Sequence, residues 1–473
     1  MFVATPLLII PLVALAQFRY TAEEIGLVGM LGARGHHLPG MLRAYGDREL
    51  FSRFRVRFIV APIFLLAVCG WFARSEGNTL DVALLLWGLW HGLAQVYGFM
   101  RIYDAKVGAR SRWRGRMDMS MCVVWFTGGV LYSPEKVADI LKAFYQSGMP
   151  LLPSPALDQI RIVWNVLAAI ITAGFVVYTL VRWWEGEPCS VVKLFAMTTS
   201  IAFWWYAMVY LKEIILGVAV FEIFHDVQYL SIVWVFNRTR VDKGRPVGAF
   251  TRFLFRPSTI MMALYVGLVV AYGCASELNR VFAGEENVKN MIYAAALAST
   301  FLHFYYDGFI WKIREPTTSE GLKMQGGNAA GSRLRTWGWL VHGLKWSAFV
   351  IPIAWSLIYP RYGGISKLEL RQALVASVPD CPSAHATLAD ELAHQGNAPE
   401  AQAQYEKAVQ LNPNYAVAHN NLGNVLAQQK QYVEAMKHYE RALQLRPDYQ
   451  QASDNLRQLK ELFQPQSETS RQW

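Results

Sequence analysis

The sequence has few cysteines and lacks the short motifs of soluble nucleotide enzymes. Its five cysteines are far apart, and none belongs to a Cys-x-x-Cys pair. They are Cys69, Cys122, Cys189, Cys274 and Cys381. Neither a disulfide framework nor a zinc knuckle is therefore indicated. No P-loop, Gly-x-Ser-x-Gly elbow or dinucleotide-binding glycine fingerprint occurs in a strand–turn–helix context, which argues against soluble nucleotide chemistry.

Apolar residues, in contrast, are abundant. The chain is 53% hydrophobic and its mean hydropathy is +0.19, a positive value that is rare in soluble proteins of this length. Long apolar blocks extend to Tyr359, and after Gly364 the chain turns to Ala, Gln, Asn, Glu and Lys. We therefore predict an all-α protein with a polytopic membrane domain at 1–362, a small soluble domain at 363–464 and a disordered tail at 465–473.

The number of membrane spans follows from the apolar blocks, since a spanning helix needs about 20 mostly apolar residues. The blocks lie at about 2–17, 58–73, 80–100, 117–132, 159–181, 191–210, 214–236, 258–275, 289–311 and 337–359. The first block is short and contains two prolines, but it has no basic n-region and no clean cleavage site. We interpret it as a membrane segment rather than a signal peptide. The total is then about nine or ten spans.

Basic residues indicate how these spans are oriented. Lys and Arg are concentrated in alternate loops, which lie at 18–57, 101–116, 237–257 and 312–336. The opposite loops, near 74–79, 133–158, 211–213 and 276–288, have few. The positive-inside rule therefore places the basic loops in the cytoplasm of a bacterial-type inner membrane and the C-terminal domain outside it. The net charge of +10 then reflects topology, and we predict no nucleic-acid partner.

The C-terminal domain contains an internal repeat. Pro379, Pro413 and Pro447 are spaced 34 residues apart, and Tyr405 and Tyr439 recur at the same offset. Over about residues 380–462 the chain closely resembles the tetratricopeptide repeat (TPR) family. The resemblance implies a short α-solenoid with a capping helix, whose concave groove binds a protein or peptide. The candidate groove residues are Tyr405, Asn420, Asn421, Asn424 and Tyr439. In an alternative interpretation the repeats form only a stable cap or a dimer contact.

Ionisable side chains in the predicted spans are functional candidates, because charges in a bilayer are costly. The candidate polar residues of spans three, seven and nine include His91, Gln95, Glu222, His225, Asp226, Gln228, Tyr229, His303 and Asp307. His91, His225 and His303 lie about 8 to 11 residues from the predicted cytoplasmic ends of their spans, at a similar depth of roughly 12–17 Å. His342 of the last span and the pair His36-His37 lie toward the same side.

This layer of histidines predicts a metal site. Imidazole is the commonest protein ligand for iron, copper and zinc, and carboxylates complete such sites. We predict that His91, His225 and His303 are ligands, with four further candidates and four supporting side chains. The further candidates are His36, His37, Glu222 and Asp307, and the supporting residues are Gln95, Asp226, Gln228 and Tyr229. The cofactor would be iron, non-haem or haem, or another transition metal. Alternatively, each side chain forms only a hydrogen bond or ion pair between helices.

The arrangement resembles the histidine sites of membrane desaturases, hydroxylases and carotenoid-cleaving oxygenases, although the HxxxH and HxxHH boxes are absent. The resemblance implies a metal-dependent membrane oxidoreductase that acts on a lipid-like substrate from the cytoplasmic side. In overall plan the chain is also similar to membrane O-glycosyltransferases, but Glu76 is the only acidic residue in the first outer loop. Trp90-His91-Gly92 is similar to a segment of membrane O-acyltransferases. A non-enzymatic anchor, scaffold or transporter that binds a partner through its repeats also stays open.

Overall fold

The computed structural model describes residues 5–17, 19–74, 79–109, 111–146, 149–211, 214–275, 285–311 and 366–463, and positions 318, 322, 347 and 354. Within these residues all regular structure is helical, which confirms the predicted all-α class. Several sequence predictions lie outside the described residues. These are the last span at 337–359 with His342, Glu76 and the tail at 465–473.

The helices up to residue 310 follow one another with short connections. They are α1 (Thr5–Ala16), α2 (Ala22–Gly35), α3 (His37–Gly46), α4 (Arg48–Arg53), α5 (Arg55–Arg74), α6 (Thr79–Lys106), α7 (Arg112–Leu131), α8 (Pro134–Gln146), α9 (Ser154–Trp184), α10 (Val191–Trp205), α11 (Ile214–Asp242), α12 (Ala249–Leu254), α13 (Thr259–Ala275) and α14 (Glu286–Ile310). A π-helical turn, Tyr206–Tyr210, follows α10. Each predicted span before residue 312 coincides with one of these helices.

Four described stretches are long and apolar enough to cross a membrane. They are Arg55–Ala73, Ser154–Trp184, Val191–Tyr210 and Leu216–Asp242. Helices α6, α7 and α14 carry Asp, Lys, Arg or His along their length, which lowers their hydropathy, and α13 has only 17 residues. Apolar length alone therefore supports several membrane-spanning helices, and the total of nine or ten stays a prediction.

The chain divides into two compact units. The first, here called the membrane unit, contains residues 1–130 and 162–359, and the C-terminal unit contains residues 131–161 and 360–473. The division near residue 360 is close to the predicted boundary at 362. However, residues 131–161, which the sequence analysis assigns to the membrane domain, pack with the C-terminal unit.

The C-terminal unit is a stack of helices, each packed against the next. They are α15 (Lys367–Ser377), α16 (Pro382–His394), α17 (Ala398–Leu411), α18 (Ala416–Gln428), α19 (Tyr432–Leu445) and α20 (Gln450–Phe463). Small residues permit close helix crossings: Ala401 and Ala435 are fully buried, and a Cβ on Gly423 would lie 2.6 Å from a ring carbon of Tyr439. The same positions recur in each repeat, which is why the period is visible in the sequence.

Helix α8 belongs to the C-terminal unit and packs against α15 and α16. The apolar cluster of this contact contains Val137, Ala138, Leu141, Leu157, Leu374, Val378, Cys381 and Ala384. Glu135 of α8 accepts hydrogen bonds from the backbone N–H of Ser383, at 3.1 Å, and from its hydroxyl group. The loop between α7 and α9 therefore belongs to the same compact unit as the repeat helices.

In the membrane unit, helix α2 begins at a well-defined cap. The Thr21 hydroxyl accepts a hydrogen bond from the Glu24 backbone N–H, and the Glu24 carboxylate accepts one from the Thr21 N–H. Such a capping box satisfies two of the backbone donors that a helix start leaves free. The helix ends at His36, where the chain turns directly into α3.

Glycines allow α2 to approach its neighbours α11 and α13 backbone to backbone. A Cβ on Gly29 would lie 2.7 Å from Ala219 of α11, and one on Gly35 would lie 2.4 Å from the Val269 carbonyl oxygen of α13. Real side chains do not tolerate such distances, so these positions require glycine. Close packing through small residues is typical of helices in membranes, where burial of apolar surface provides little drive.

A network of charged side chains is buried between α6, α7 and α10. Asp104 and Asp118 have no exposed surface, and Lys193 is 3% exposed. The Lys193 ammonium lies 2.9 Å from Asp118 and 3.3 Å from Asp104. Arg101 adds contacts of 2.8 and 3.5 Å to the same two carboxylates, and Arg114 lies 3.9 Å from Asp104. Because buried ions need partners, the network links the three helices.

The first prediction concerns this network. Lys193→Met should destabilise the protein by about 3–5 kcal/mol, because it removes a cation shared by two buried carboxylates. The control is Lys289→Met, which breaks only a 3.8 Å surface pair with Glu286 and should change stability little. The measurement is the unfolding midpoint of each purified variant in the same detergent. Equal shifts for the two variants would contradict a structural role of the network.

Candidate metal centre

Four histidine side chains converge inside the membrane unit. They are His36 at the α2–α3 junction, His91 on α6, His225 on α11 and His303 on α14. One ring nitrogen of each lies within 4.8 Å of those of the other three. All four residues are buried, and the most exposed, His91, is only 8% exposed. The structure thus brings together the three histidines that the sequence analysis names as ligands, and adds His36 from its further candidates.

The centre of the group is the Nε2 atom of His303. It lies 3.0 Å from Nε2 of His36 and 3.1 Å from Nε2 of His91. The His225 ring closes the group, with its centroid 5.0 Å from that of His36 and 5.1 Å from that of His91. Each nitrogen of a neutral imidazole carries either a proton or a lone pair. Three Nε2 atoms at these distances can therefore share protons unequally, or present lone pairs to one cation.

A carboxylate contacts the outer nitrogen of one of the four rings. Nδ1 of His36 lies 2.7 Å from Oδ1 of Asp226, and both residues are buried. This contact orients the His36 ring so that its Nε2 atom faces His303. A carboxylate on the outer nitrogen of a histidine is the usual support of a metal-binding imidazole. Asp226 itself lies against α2, since a Cβ on Gly32 would be 2.2 Å from its Oδ2 atom.

Asp307 lies at the edge of the group. Its Oδ2 atom is 3.7 Å from Nε2 of His303, and Oδ1 accepts hydrogen bonds from the Tyr229 hydroxyl at 2.9 Å and the Trp311 indole at 3.1 Å. Two donors therefore hold this carboxylate beside the histidines. The α3 backbone passes over the same place, because a Cβ on Gly40 would lie 3.0 Å from the Tyr229 hydroxyl oxygen.

The other predicted residues surround the four histidines without joining them. His37 contacts the Ser299 hydroxyl at 3.0 Å through Nδ1 and stacks on His303. Glu222 is half-buried one turn before His225 and is not part of the four-histidine group. Gln95 donates to the His225 carbonyl oxygen at 3.1 Å, and Gln228 is buried on α11.

Four residues that shape the site are not among those predicted from the sequence. Gly32 and Gly40 give Asp226 and Tyr229 the space they occupy, Phe304 stacks on His91 with centroids 4.6 Å apart, and Trp311 holds Asp307. The available signal was the unusual density of glycines between residues 21 and 47. That density indicates close packing, but it does not name the partner helix.

The predicted groove residues of the C-terminal unit form a chain of hydrogen bonds. The Tyr439 hydroxyl donates to Asn424 at 2.8 Å, and the Asn455 amide donates to Asn424 at 2.9 Å and to Asn420 at 3.1 Å. Asn421 donates to Asp390, which also accepts from the Tyr405 hydroxyl. Tyr405, Tyr439 and Asn420 are buried, whereas Asn421 and Asn424 are half-buried.

Comparison with known families identifies the C-terminal helices. Residues 416–449 match a family model described as tetratricopeptide repeat, and residues 389–430 match one described as TPR repeat. Residues 389–449 are therefore a tetratricopeptide-repeat region. A search of curated proteins finds no match to the chain. Because the family matches lie only in the TPR region, they assign no chemistry to the four histidines.

The second prediction tests the contact between α2 and Asp226. Gly32→Ala should destabilise the protein by about 1–3 kcal/mol, since the added methyl group overlaps the Asp226 carboxylate. Gly308→Ala on α14 is the control, because a Cβ there meets nothing within 4 Å. In an Asp226→Ala background Gly32→Ala should cost less. An equal cost in both backgrounds, measured from unfolding midpoints in detergent, would show that the overlap is not the cause.

Proposed function

We propose that His36, His91, His225 and His303 bind one transition-metal ion, and that the membrane unit is a metal-dependent oxidoreductase acting on a lipid-like substrate. The observation that carries the proposal is the approach of four ring nitrogens, one from each of four segments, to within 4.8 Å of one another. Histidines that only form hydrogen bonds between helices would not need to bring four ring nitrogens close to one another.

The two separations around His303 suit a single ion. Metal–nitrogen bonds of about 2.0–2.1 Å imply nitrogen–nitrogen separations of about 3–4 Å between ligands. The separations of 3.0 and 3.1 Å around His303 are at the short end of this range. An all-imidazole donor set suits iron, copper and zinc. Haem fits less well, because ring centroids 4.5 to 5.1 Å apart leave no slot for a macrocycle between the histidines.

The surrounding residues have roles that agree with such a centre. Asp226 fixes the orientation of His36, and burial of all four rings excludes water. The Tyr229 hydroxyl donates a 2.9 Å hydrogen bond to Asp307 beside His303, and this pair would exchange a proton with a substrate. When bound, a redox-active ion would supply one-electron chemistry. The resemblance to membrane desaturases and oxygenases, and the apolar helices around the site, favour a lipid-like substrate.

The rival enzyme classes have less support. Glycosyl transfer depends on acidic residues in the first outer loop, where the sequence has Glu76 alone. In the acyltransferase interpretation His91 of the Trp-His-Gly segment acts alone as a base. Here its Nε2 atom instead points at His303, and its ring is stacked on Phe304. This clustering favours a shared ion over a single catalytic base.

We further propose that the TPR region lies outside the cytoplasm and recruits a protein or peptide there. The support is the scarcity of Lys and Arg in the loop at 133–158, whose helix α8 packs against the repeats. Asn421 and Asn424, half-buried on α18, are the residues best placed to meet a peptide backbone.

The third prediction is the metal content. The wild-type protein, purified in detergent, should contain about one equivalent of a transition metal, and single His91→Ala, His225→Ala or His303→Ala variants should lose most of it. His37→Ala, which removes the contact with Ser299 and a ring stacked on His303 but no nitrogen of the four-histidine group, should retain it. Elemental analysis and electron paramagnetic resonance provide the measurement. A metal-free wild type, or a His37→Ala variant as depleted as the other three, would refute the four-histidine site.

The fourth prediction is the side of the repeats. A periplasm-active phosphatase fused after Phe463 should be active, and a fluorescent protein fused at the same position should be dark. A reporter inserted in the loop between α7 and α9, near residue 150, should behave in the same way, because that loop packs with the repeats. Fusions near residue 244, between α11 and α12, serve as the opposite control. Fluorescence from the C-terminal fusion would overturn the orientation.

A further inference from the structure

Arg43 is an unusual buried cation. It lies on α3, one turn beyond the backbone that passes over Tyr229 at Gly40, and is only 4% exposed. A guanidinium is protonated at every accessible pH, so it cannot avoid the cost of burial by losing a proton. Buried arginines are therefore normally paired with a carboxylate.

The surroundings of Arg43 leave donors without partners. One nitrogen, Nη2, donates to the Thr318 hydroxyl at 3.0 Å. Nε and Nη1 have no hydrogen-bond partner among the described residues, and no described carboxylate forms an ion pair with the side chain. The two nearby acids are engaged elsewhere, since Asp47 pairs with Arg240 and Asp307 accepts from Tyr229 and Trp311.

Two aromatic rings contact the guanidinium. The guanidinium carbon lies 4.0 Å from the Phe236 ring centroid and 3.9 Å from that of Trp311. The two ring centroids are 5.3 Å apart, so the rings approach the guanidinium from adjacent directions and together hold it in place. The N–H groups without a partner are the donors with which arginine binds carboxylate or phosphate oxygens.

We propose that Arg43 binds the anionic head group, a carboxylate or phosphate, of an amphiphilic substrate. This inference rests on the proposed function and narrows its substrate class. Trp311 connects the two places, because its ring contacts Arg43 while its indole N–H donates to Asp307, 3.7 Å from His303. An anion held at Arg43 therefore anchors a molecule whose apolar part lies beside the histidines.

The test measures equilibrium binding of radiolabelled oleate to the detergent-purified protein, with oleyl alcohol, dodecyl phosphate and inorganic phosphate as comparison ligands. The wild type should bind oleate or dodecyl phosphate more tightly than the alcohol, and inorganic phosphate weakly. Arg43→Gln should weaken binding of the anionic amphiphiles about ten- to hundredfold and leave that of the alcohol unchanged. Arg57→Gln, which changes an exposed arginine above Phe54, should have no effect.

Several outcomes would overturn the proposal. They are equal affinity of the wild type for oleate and oleyl alcohol, unchanged oleate binding by Arg43→Gln, or binding of inorganic phosphate alone. The wild-type comparison remains decisive even if Arg43→Gln does not fold. Binding to His225→Ala separates this proposal from the metal site. Oleate binding that survives in this variant supports the anion site whether or not the wild type contains metal, whereas a wild type with metal but no preference for anions refutes only the role of Arg43.

Discussion

The close packing of α2 against α11 is the contact on which the candidate site depends. Because Gly29 and Gly32 have no side chains, the α2 backbone lies directly on α11. His36, the residue that follows α2, then reaches the interior of the membrane unit. His36 is therefore held by a helix junction, while His91, His225 and His303 are held by long helices. Asp226 contributes both to the packing of α2 on α11 and to the position of His36, because it packs on Gly32 and contacts the His36 ring.

The helices and part of the site could be predicted from the sequence. Apolar blocks predict helix positions, and residue counts along a helix predict depth, so His91, His225 and His303 could be assigned to one layer. Neither signal reports the lateral distance between helices. Whether His36 or His37 joins the group depends on the turn between α2 and α3, where one ring faces His303 and the other faces Ser299. The α8–TPR contact also depends on tertiary packing that no local pattern reveals.

Buried charged and polar groups in this protein differ in whether they have partners inside the fold. Lys193 lies between two buried carboxylates, and Asp47 pairs with Arg240, so these ions compensate one another inside the fold. The four histidines and Arg43 are different, because their nitrogens converge on one point or lack an acceptor among the described residues. Paired ions link helices of the fold, whereas buried groups with unused hydrogen-bonding capacity require a separate explanation.

The hydrogen bonds among the histidines are constrained when no ion is present. Nε2 of His303 carries either a proton or a lone pair, so it donates to both neighbouring rings or accepts from both, but it cannot do one of each. A cation entering the group needs a lone pair from every ligand, so binding must displace the protons that lie between these nitrogens. Asp226 on His36 and the hydrogen bond between Tyr229 and Asp307 give a displaced proton polar neighbours. Metal binding and proton movement at this site are therefore expected to be coupled by the geometry of the four rings.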